Sequence, residues 1–523
     1  MNLEKGTTIE LEIIDIGTDG QGIGKIDGLT VFVSKDKETP VYGDIVLAEI
    51  VENKKRFIKA SLKEVMKPSE LRSEPHCEYA NECGGCALSD MTYAGQLELK
   101  EKQVRDKYMR IAGLEAPVVN QIIGMDEPFG YRNKAQIAVG NNNVGFFSSK
   151  SHSVIDCKTC NINSKPAEVI AEVVRSFVKT NKITDYDRRT GKGLLRHVIV
   201  RTAFKTGEVM VILVVNGKTL PAHEKLIEMM DDAVYAITDA NTARETASKN
   251  RNPETNDGSV VDDNTGAEAE DGKYSLESVV LNINTEKSSQ VLGEKNIILA
   301  GKPTILDMAG SFELETAVAL EFEISPLAFY QVNSIQMEKL CDKVLEYADL
   351  KGHETVLDIY CGIGTIGLWC AKRASKVLGI ESNKDAVLNA NRNAVINGIV
   401  NAQYICGKAE EELPKLINLE TNSKWSNFFG ADFNADVVIL DPPRAGCKPE
   451  LLNAVAKTNA KRIIYVSCDI ATQARDIKIL KELGYEFVEA TPVDMFPWSM
   501  NVESVVLLKS YKSIASGVVV DAK

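Results

Sequence analysis

Four short stretches in the C-terminal half of the chain carry the residue types from which a covalent reaction can be built. Cys468 closes the strand-like apolar run Arg462-Ile463-Ile464-Tyr465-Val466-Ser467-Cys468-Asp469. Asp441-Pro442-Pro443-Arg444 follows the apolar run Val437-Val438-Ile439-Leu440, and Glu503 sits in Asn501-Val502-Glu503-Ser504. Further upstream lies Asp358-Ile359-Tyr360-Cys361-Gly362-Ile363-Gly364-Thr365. A thiol becomes a nucleophile when it ionises and a carboxylate is a base. A cysteine followed by a glutamate therefore describes addition to an electron-poor carbon and later removal of a proton. No histidine follows His353, so a Cys-His hydrolase dyad within this part of the chain is disfavoured. The commoner fate of a single cysteine is burial as a small hydrophobe; a place after a strand and before Asp469 speaks against it for Cys468.

These groups need elements that bring them to one edge. The Asp358 stretch predicts a strand, a glycine-rich turn and a helix, a turn that lets a nucleotide approach the backbone. It is one glycine short of the dinucleotide fingerprint and lacks the Gly-Lys-Ser/Thr ending of a phosphate-binding loop, so neither NAD nor ATP is favoured. About 23 residues on, Glu381 closes a second strand, Val377-Leu378-Gly379-Ile380, where a carboxylate can accept both hydroxyls of a ribose. Adenosine without a polyphosphate, as in S-adenosylmethionine, fits that pattern. The Asp-Pro-Pro turn is shared in outline with adenine-modifying methyltransferases, but Arg444 stands where they place an aromatic ring. Cys468 points to a different acceptor. Carbon 5 of a uracil is too weakly nucleophilic to take a methyl group directly. A thiolate adding at carbon 6 makes it an enolate, and Glu503 is placed to remove the carbon-5 proton afterwards.

The chain of 523 residues, 44% hydrophobic, is long enough for two to four domains, each with its own core. A net charge of −13 excludes a uniformly basic nucleic-acid binder, although local patches can hide in such a total. Part of the acidity lies between Glu245 and Lys273, with eight acidic and three basic residues, which predicts a solvated insertion without regular structure at about 240–275. Met1-Asn2-Leu3-Glu4-Lys5 offers no apolar signal core, and the longest apolar run, Val209 to Val215, is too short to span a bilayer, so a soluble cytoplasmic protein with no membrane contact is expected.

Residues 1–65 alternate with period two: Ile9, Leu11 and Ile13 share one face, as do Leu29, Val31 and Val33, which predicts a small β-barrel. The loop Asp19-Gly20-Gln21-Gly22-Ile23-Gly24 and the basic group Lys54, Lys55, Arg56, Lys59 and Lys63 would suit phosphate contacts; a solvated charged face is at least as good a reading. A connector at 66–92 is rich in cysteine. Residues 93–325 begin with a helical stretch, Tyr93 to Gly113, followed by strand-like runs, and read as a central α+β domain. From 326 to 523 strands and helices alternate, the pattern of a doubly wound α/β sheet.

In the connector, Cys77, Cys83 and Cys86 supply three thiols, and Cys157 and Cys160 offer a fourth from far along the chain. Four soft ligands suit an iron–sulfur cluster or zinc, and the residues alone leave both open. The spacing differs from the Cys-x3-Cys-x2-Cys of radical enzymes, and only Cys83-x2-Cys86 matches a zinc knuckle on the connector side. Cys341, Cys361, Cys370, Cys406 and Cys447 read as packing or incidental residues.

With these motifs together, the chain resembles the RNA 5-methyluridine methyltransferases, in particular the bacterial enzymes with a TRAM barrel and a four-iron cluster that modify 23S rRNA. Gly130-Tyr131-Arg132-Asn133-Lys134, Leu195-Arg196-His197-Val198 and Phe329-Tyr330-Gln331-Val332-Asn333 carry the likeness across the central region. The resemblance implies an OB-like TRAM barrel, a central α+β domain with an iron–sulfur cluster and a C-terminal class I methyltransferase domain. It implies a [4Fe–4S] cluster on Cys77, Cys83, Cys86 and Cys160, with Cys157 in reserve. It places S-adenosylmethionine contacts on Gln331, Tyr360, Glu381 and Asp441, the nucleophile on Cys468 and the base on Glu503. A loop or single-stranded uridine of RNA would be the partner, with 23S rRNA foremost and no obligate protein partner. A transfer-RNA T-loop uridine is the alternative within the class, and a noncatalytic RNA-binding ribosome-assembly factor the alternative outside it. Phe496-Pro497-Trp498-Ser499-Met500-Asn501 departs from the family's Phe-Pro-His/Gln-Thr-x-His, which predicts an altered environment for the base.

Overall fold

The structure, a computed structural model, describes residues 3–35, 38–149, 151, 153–249, 272–288, 290–310, 319–417 and 434–511. At the N-terminus, strands Thr8–Glu12, Asp15–Ile16, Gly22–Ile26, Leu29–Ser34, Ile45–Lys54 and Phe57–Lys67 form one sheet, in spatial order first, fifth, sixth, fourth, third, second. The period-two pattern does what it predicts: Ile9, Leu11, Val31, Val33, Val46, Ile50, Ile58 and Leu62 point into a common core, joined by Leu88, Met91 and Leu99. The sheet curls until its third strand lies against its first. A Cβ on Gly24 would stand 2.4 Å from Leu11 Cδ1, and one on Gly22 would stand 2.8 Å from Ile13 Cδ1. These glycines, expected in a loop, lie in the strand Gly22–Ile26 and serve close packing. Of the basic group, Lys54 and Lys59 face Glu52 at 3.3 and 3.6 Å and Lys63 pairs with Glu49 at 2.9 Å, which favours the solvated charged face over a phosphate site.

The central domain is a seven-stranded sheet in the order Lys295–Gly301, Ser275–Ile283, Glu208–Val215, Leu195–Thr202, Lys134–Gly140, Asn143–Phe147, Val154–Asp156. Its run Val209 to Val215 is continuously apolar because both faces are buried. Val209, Val211, Leu213 and Val215 pack under helices Lys165–Thr180 and His223–Lys249, whereas Met210, Ile212 and Val214 face a core shared with the C-terminal domain. The insertion expected at about 240–275 needs correcting at its start, while its expected end agrees with the next strand. The second helix continues to Lys249 and a strand starts at Ser275; residues 250–271 lie outside the described ones.

The C-terminal sheet runs Ala402–Cys406, Lys376–Glu381, Thr355–Ile359, Val437–Leu440, Arg462–Ser467, Glu503–Ser510, Tyr485–Val493. The first five strands are parallel, and the final strand, Glu503–Ser510, inserts antiparallel between Arg462–Ser467 and Tyr485–Val493. Chain direction across the sheet reverses at Thr355–Ile359 and Val437–Leu440, the switch point at which open α/β sheets bind ligands.

One assigned boundary is displaced. The helix Tyr93–Arg110 and the segment after it, read as the start of the central domain, belong to the C-terminal core. Val104, Tyr108, Ala112 and Ile122 are buried there, and Tyr108 Oη donates to Gln473 Oε1 at 2.7 Å. Val119 and Ile123 then pair with Ala490 and Val493 as an added edge. Helical periodicity shows that a face is buried but not against which sheet.

A Gly24→Val protein is expected to lose about 1–3 kcal/mol of stability through overpacking against Leu11. Thermal unfolding of the full chain measures this; an unchanged midpoint would contradict the close-packing role.

Candidate active site

Strand register decides which chemistry-bearing residues meet. In the antiparallel pair of Arg462–Ser467 with Glu503–Ser510, Ser467 lies opposite Ser504, so Cys468 and Glu503 emerge side by side from neighbouring strand ends. The parallel pairing Leu440 with Tyr465 brings Asp441 to the same edge, and Ile359 pairs with Leu440, which adds Tyr360. Asp469 caps the next helix, Ile470–Glu482, its carboxylate accepting from Thr472 N at 2.9 Å. Thr472 Oγ1 in turn donates to Arg444 O at 3.1 Å and so anchors the loop after Asp441.

The edge is crowded with acidic groups. Burial pushes the Glu503 carboxyl up to about 8, and nearby Asp441 adds to the shift. Burial holds Asp441 at about 7, and burial together with Asp441 holds Asp358 at about 7. Burial raises the Cys468 thiol to about 11, with the Glu503 charge second. Arg444 opposes the shifts of both Cys468 and Glu503. Its Nη2 donates to Asn501 Oδ1 at 3.4 Å. Local reading of the sequence had noticed Arg444 only as a replaced aromatic ring; its charge amid carboxylates was the missed signal.

Next to this edge a narrow cavity of about 50 Å³ is lined by Gln331, Asp358, Tyr360, Gly362 and Asp441. Asp358 is buried and neither carboxyl oxygen has a side-chain partner, a lining that suits a cationic ligand group. Tyr360 also borders a wider cavity of about 620 Å³ with Ile380, Ser382, Gly407 and Pro443. Tyr360 itself holds φ +66°, a conformation rare for a ring-bearing residue, at the point where strand becomes turn. Glu381 joins this site from the next strand: Oε2 accepts from Gly362 N at 3.3 Å, and Oε1 accepts from Asn383 N at 2.7 Å. Gly364 has φ +85°, and a Cβ there would stand 2.7 Å from Tyr404 Oη. Gln331 reaches the cavity from a loop that the central domain holds, with Asn133 Nδ2 donating to Gln331 O at 2.9 Å and Arg201 bonding to Ala328 O. The motif Gly130–Lys134 thereby acquires a positioning role, which Arg201, outside the motifs read from the sequence, shares.

The departure before the base has two separate outcomes. Asn501 lies near Cys468 and Glu503 through Arg444. Trp498 points away, buried with its ring stacked on Phe129 at 5.1 Å and its Nε1 donating to Pro128 O at 2.8 Å. The altered environment expected around Glu503 therefore comes through Asn501 and Arg444.

Cys77, Cys83, Cys86, Cys157 and Cys160 gather from two segments around one cavity of about 430 Å³, whose wall also includes Arg132, Lys134 and Phe329. Burial, reinforced by the neighbouring cysteines, raises the thiols of Cys86 and Cys157, and burial lifts Cys160 to about 12. Among the described residues no group of three or more His, Cys, Asp or Glu side chains is arranged to hold a metal ion.

The C-terminal sheet order and its ligand edge define a class I methyltransferase fold. Residues 315–511 match the tRNA (Uracil-5-)-methyltransferase family and residues 2–63 the TRAM domain. Over 508 residues the chain is 41% identical to an uncharacterized RNA methyltransferase of Caldanaerobacter subterraneus subsp. tengcongensis, covering 96% of this chain and 98% of that protein. A second such protein, from Clostridium tetani, is 37% identical over 513 residues, covering 97% and 98%. The crystal structure of Pyrococcus abyssi tRNA (uracil-54, C5)-methyltransferase with S-adenosyl-L-homocysteine superposes with a TM-score of 0.66 at 27% identity, covering 95% of this chain and all of that one. The chain belongs to the RNA uracil-5 methyltransferase family. It is an RNA-methylating enzyme that uses S-adenosylmethionine, which sets aside the noncatalytic alternative. No described helix is long and apolar enough to cross a membrane.

The Cys468 environment is directly measurable. Alkylation of Cys468 by iodoacetamide, followed by peptide mass mapping, should accelerate about tenfold per pH unit from pH 8 to 10, because only the thiolate reacts and its fraction rises tenfold per unit below the pKa. Arg444→Gln should slow it at each pH. A rate that levels off near pH 8 would contradict the buried, acid-flanked thiol.

Proposed function

We propose that the protein methylates carbon 5 of a uridine in 23S rRNA, with Cys468 as nucleophile and Glu503 as base. The observation that carries this reading is their adjacency across one antiparallel register, beside an acid-lined cavity at the ligand edge of the sheet. The Cys468 thiolate adds to carbon 6 of a uracil turned out of its strand, forming the S–C6 bond and moving the C5–C6 π electrons into an enolate. S-adenosylmethionine, when bound, supplies a methyl group that is electrophilic because it sits on a sulfonium. Glu503 then takes the proton from carbon 5; the electrons left behind restore the C5–C6 double bond and expel the Cys468 thiolate. Arg444 favours the ionised forms of both residues. Asp358 and Asp441 suit a sulfonium or ammonium group, and Gln331, Tyr360 and Glu381 complete the set that would hold the cofactor.

The convergence of four cysteines on one cavity supports a [4Fe–4S] cluster on Cys77, Cys83, Cys86 and Cys160, with Cys157 adjacent. Burial raises the thiols of Cys77, Cys86 and Cys160, and a strong Lewis acid beside them would favour the ionised, ligating forms. The methyl transfer needs no electron, so a cluster there would organise the fold around it. The work is proposed to occur in the cytoplasm, where such thiols stay reduced.

A transfer-RNA T-loop uridine is the second reading, favoured by the likeness in fold to the archaeal tRNA (uracil-54, C5)-methyltransferase. Methylation of unmodified 23S rRNA and tRNA with labelled cofactor separates the two. Cys468→Ala should lower turnover by about 10³-fold or more. Glu503→Gln should instead accumulate a covalent protein–RNA adduct on denaturing gels. Full turnover by the Cys468→Ala protein would sink the mechanism. Anaerobically purified protein should carry iron and sulfide, lost in Cys83→Ala; stoichiometric zinc without iron would refute the cluster.

A further inference from the structure

The loop that leads to Glu503 is held in an unusual way. Five consecutive main-chain carbonyls, Asp494 to Trp498, each accept a hydrogen bond from a different residue. Gln336 Nε2 reaches Asp494 O at 3.1 Å and Asn333 Nδ2 reaches Met495 O at 3.2 Å, both from the cofactor domain. Lys100 Nζ reaches Phe496 O at 3.1 Å from the helix Tyr93–Arg110, and Tyr131 Oη reaches Pro497 O at 3.0 Å from the start of the central domain. Leu88 N, two residues past Cys86, reaches Trp498 O at 3.0 Å.

Trp498 takes the largest share of these ties. Its backbone N donates to Gln96 Oε1 at 2.9 Å, and its ring lies 4.2 Å from that of His76, the neighbour of Cys77. Its φ of +68° is a conformation that side chains of this size adopt only when their surroundings impose it. Three residues on, Asn501 meets Arg444, and five residues on comes Glu503. A surface loop would need none of this.

We infer that Trp498 is a positioning residue through which the cysteine-bearing segment and the central domain fix where Glu503 stands against Cys468. The inference rests on the reading of Glu503 as the base that ends the reaction. It assigns a task to the side chain in which this chain departs from the family pattern. Loosening Trp498 should leave nucleophilic addition and methyl transfer possible and impair the final proton removal, since a small displacement of a catalytic group is costly in rate.

The test compares Trp498→Ala, Trp498→Phe and Tyr131→Phe with Glu503→Gln, using full-length protein and the RNA that the wild type methylates. Tyr131→Phe removes only the bond to Pro497 O, so it keeps the experiment informative if the alanine variant fails to fold. Expected are a fall in kcat of about 10- to 100-fold for Trp498→Ala and less for the other two, with KM for S-adenosylmethionine little changed. All three should also show covalent protein–RNA adduct above the wild-type level. Adduct in Glu503→Gln, with wild-type kcat and no adduct in the Trp498 and Tyr131 variants, would overturn the inference even if their unfolding temperature falls. Absence of adduct in Glu503→Gln itself would overturn the catalytic reading beneath it, and the inference with it.

Discussion

The antiparallel insertion of the final strand, Glu503–Ser510, between Arg462–Ser467 and Tyr485–Val493 is the constraint on which the site depends. Strand pairing allows no partial slip: a shift of one residue turns every side chain to the opposite face. Val505 and Leu507 face one core and Val506 and Leu508 the other, so two buried surfaces enforce the same register. Glu503 and Cys468 are separated by 34 intervening residues yet meet because this pairing admits only one alignment.

The same edge creates an electrostatic problem. Asp441 and the buried Glu503 lie beside the Cys468 thiol and disfavour its ionisation, and Asp441 likewise disfavours the charges of Glu503 and Asp358. A ligand cation and Arg444 are the physical remedies. The first is what the proposed cofactor's sulfonium would supply; the second is part of the chain, held at its backbone by Thr472 and at its guanidinium by Asn501.

The domains are interleaved more than a linear map conveys. Lys100, fully buried, pairs with Asp494 at 2.6 Å, and Tyr93 Oη donates to the same carboxylate at 2.9 Å, so the first helix after the cysteine connector is bolted to the loop before Glu503. An unpaired buried charge is costly, which makes the contact all-or-none. Arg201, Asn133 and Gln331 form a comparable chain from the central sheet to the cofactor cavity.

Much of this was legible in the sequence. Alternating apolar residues announced the N-terminal strands, the Asp358 turn announced its ligand edge, Cys468 and Asp441 were marked by apolar runs and a stiff turn, and Glu503 only by following the thiol in the chain. Local periodicity carries that information because burial of one face is a local demand. It could not place the helix Tyr93–Arg110 on the C-terminal sheet, start the insertion at the right residue, or show that Gly22 and Gly24 serve packing. Nor could it tell that Trp498 and Asn501, three residues apart, face different neighbours. Such facts arise from contacts across the fold, whether between strands close in the chain, as for Gly24 and Leu11, or between residues hundreds of positions apart, as for Tyr108 and Gln473. The sequence by itself determined which groups could react; only the tertiary structure decided which of them stand together, because register and packing are properties of the assembled sheets.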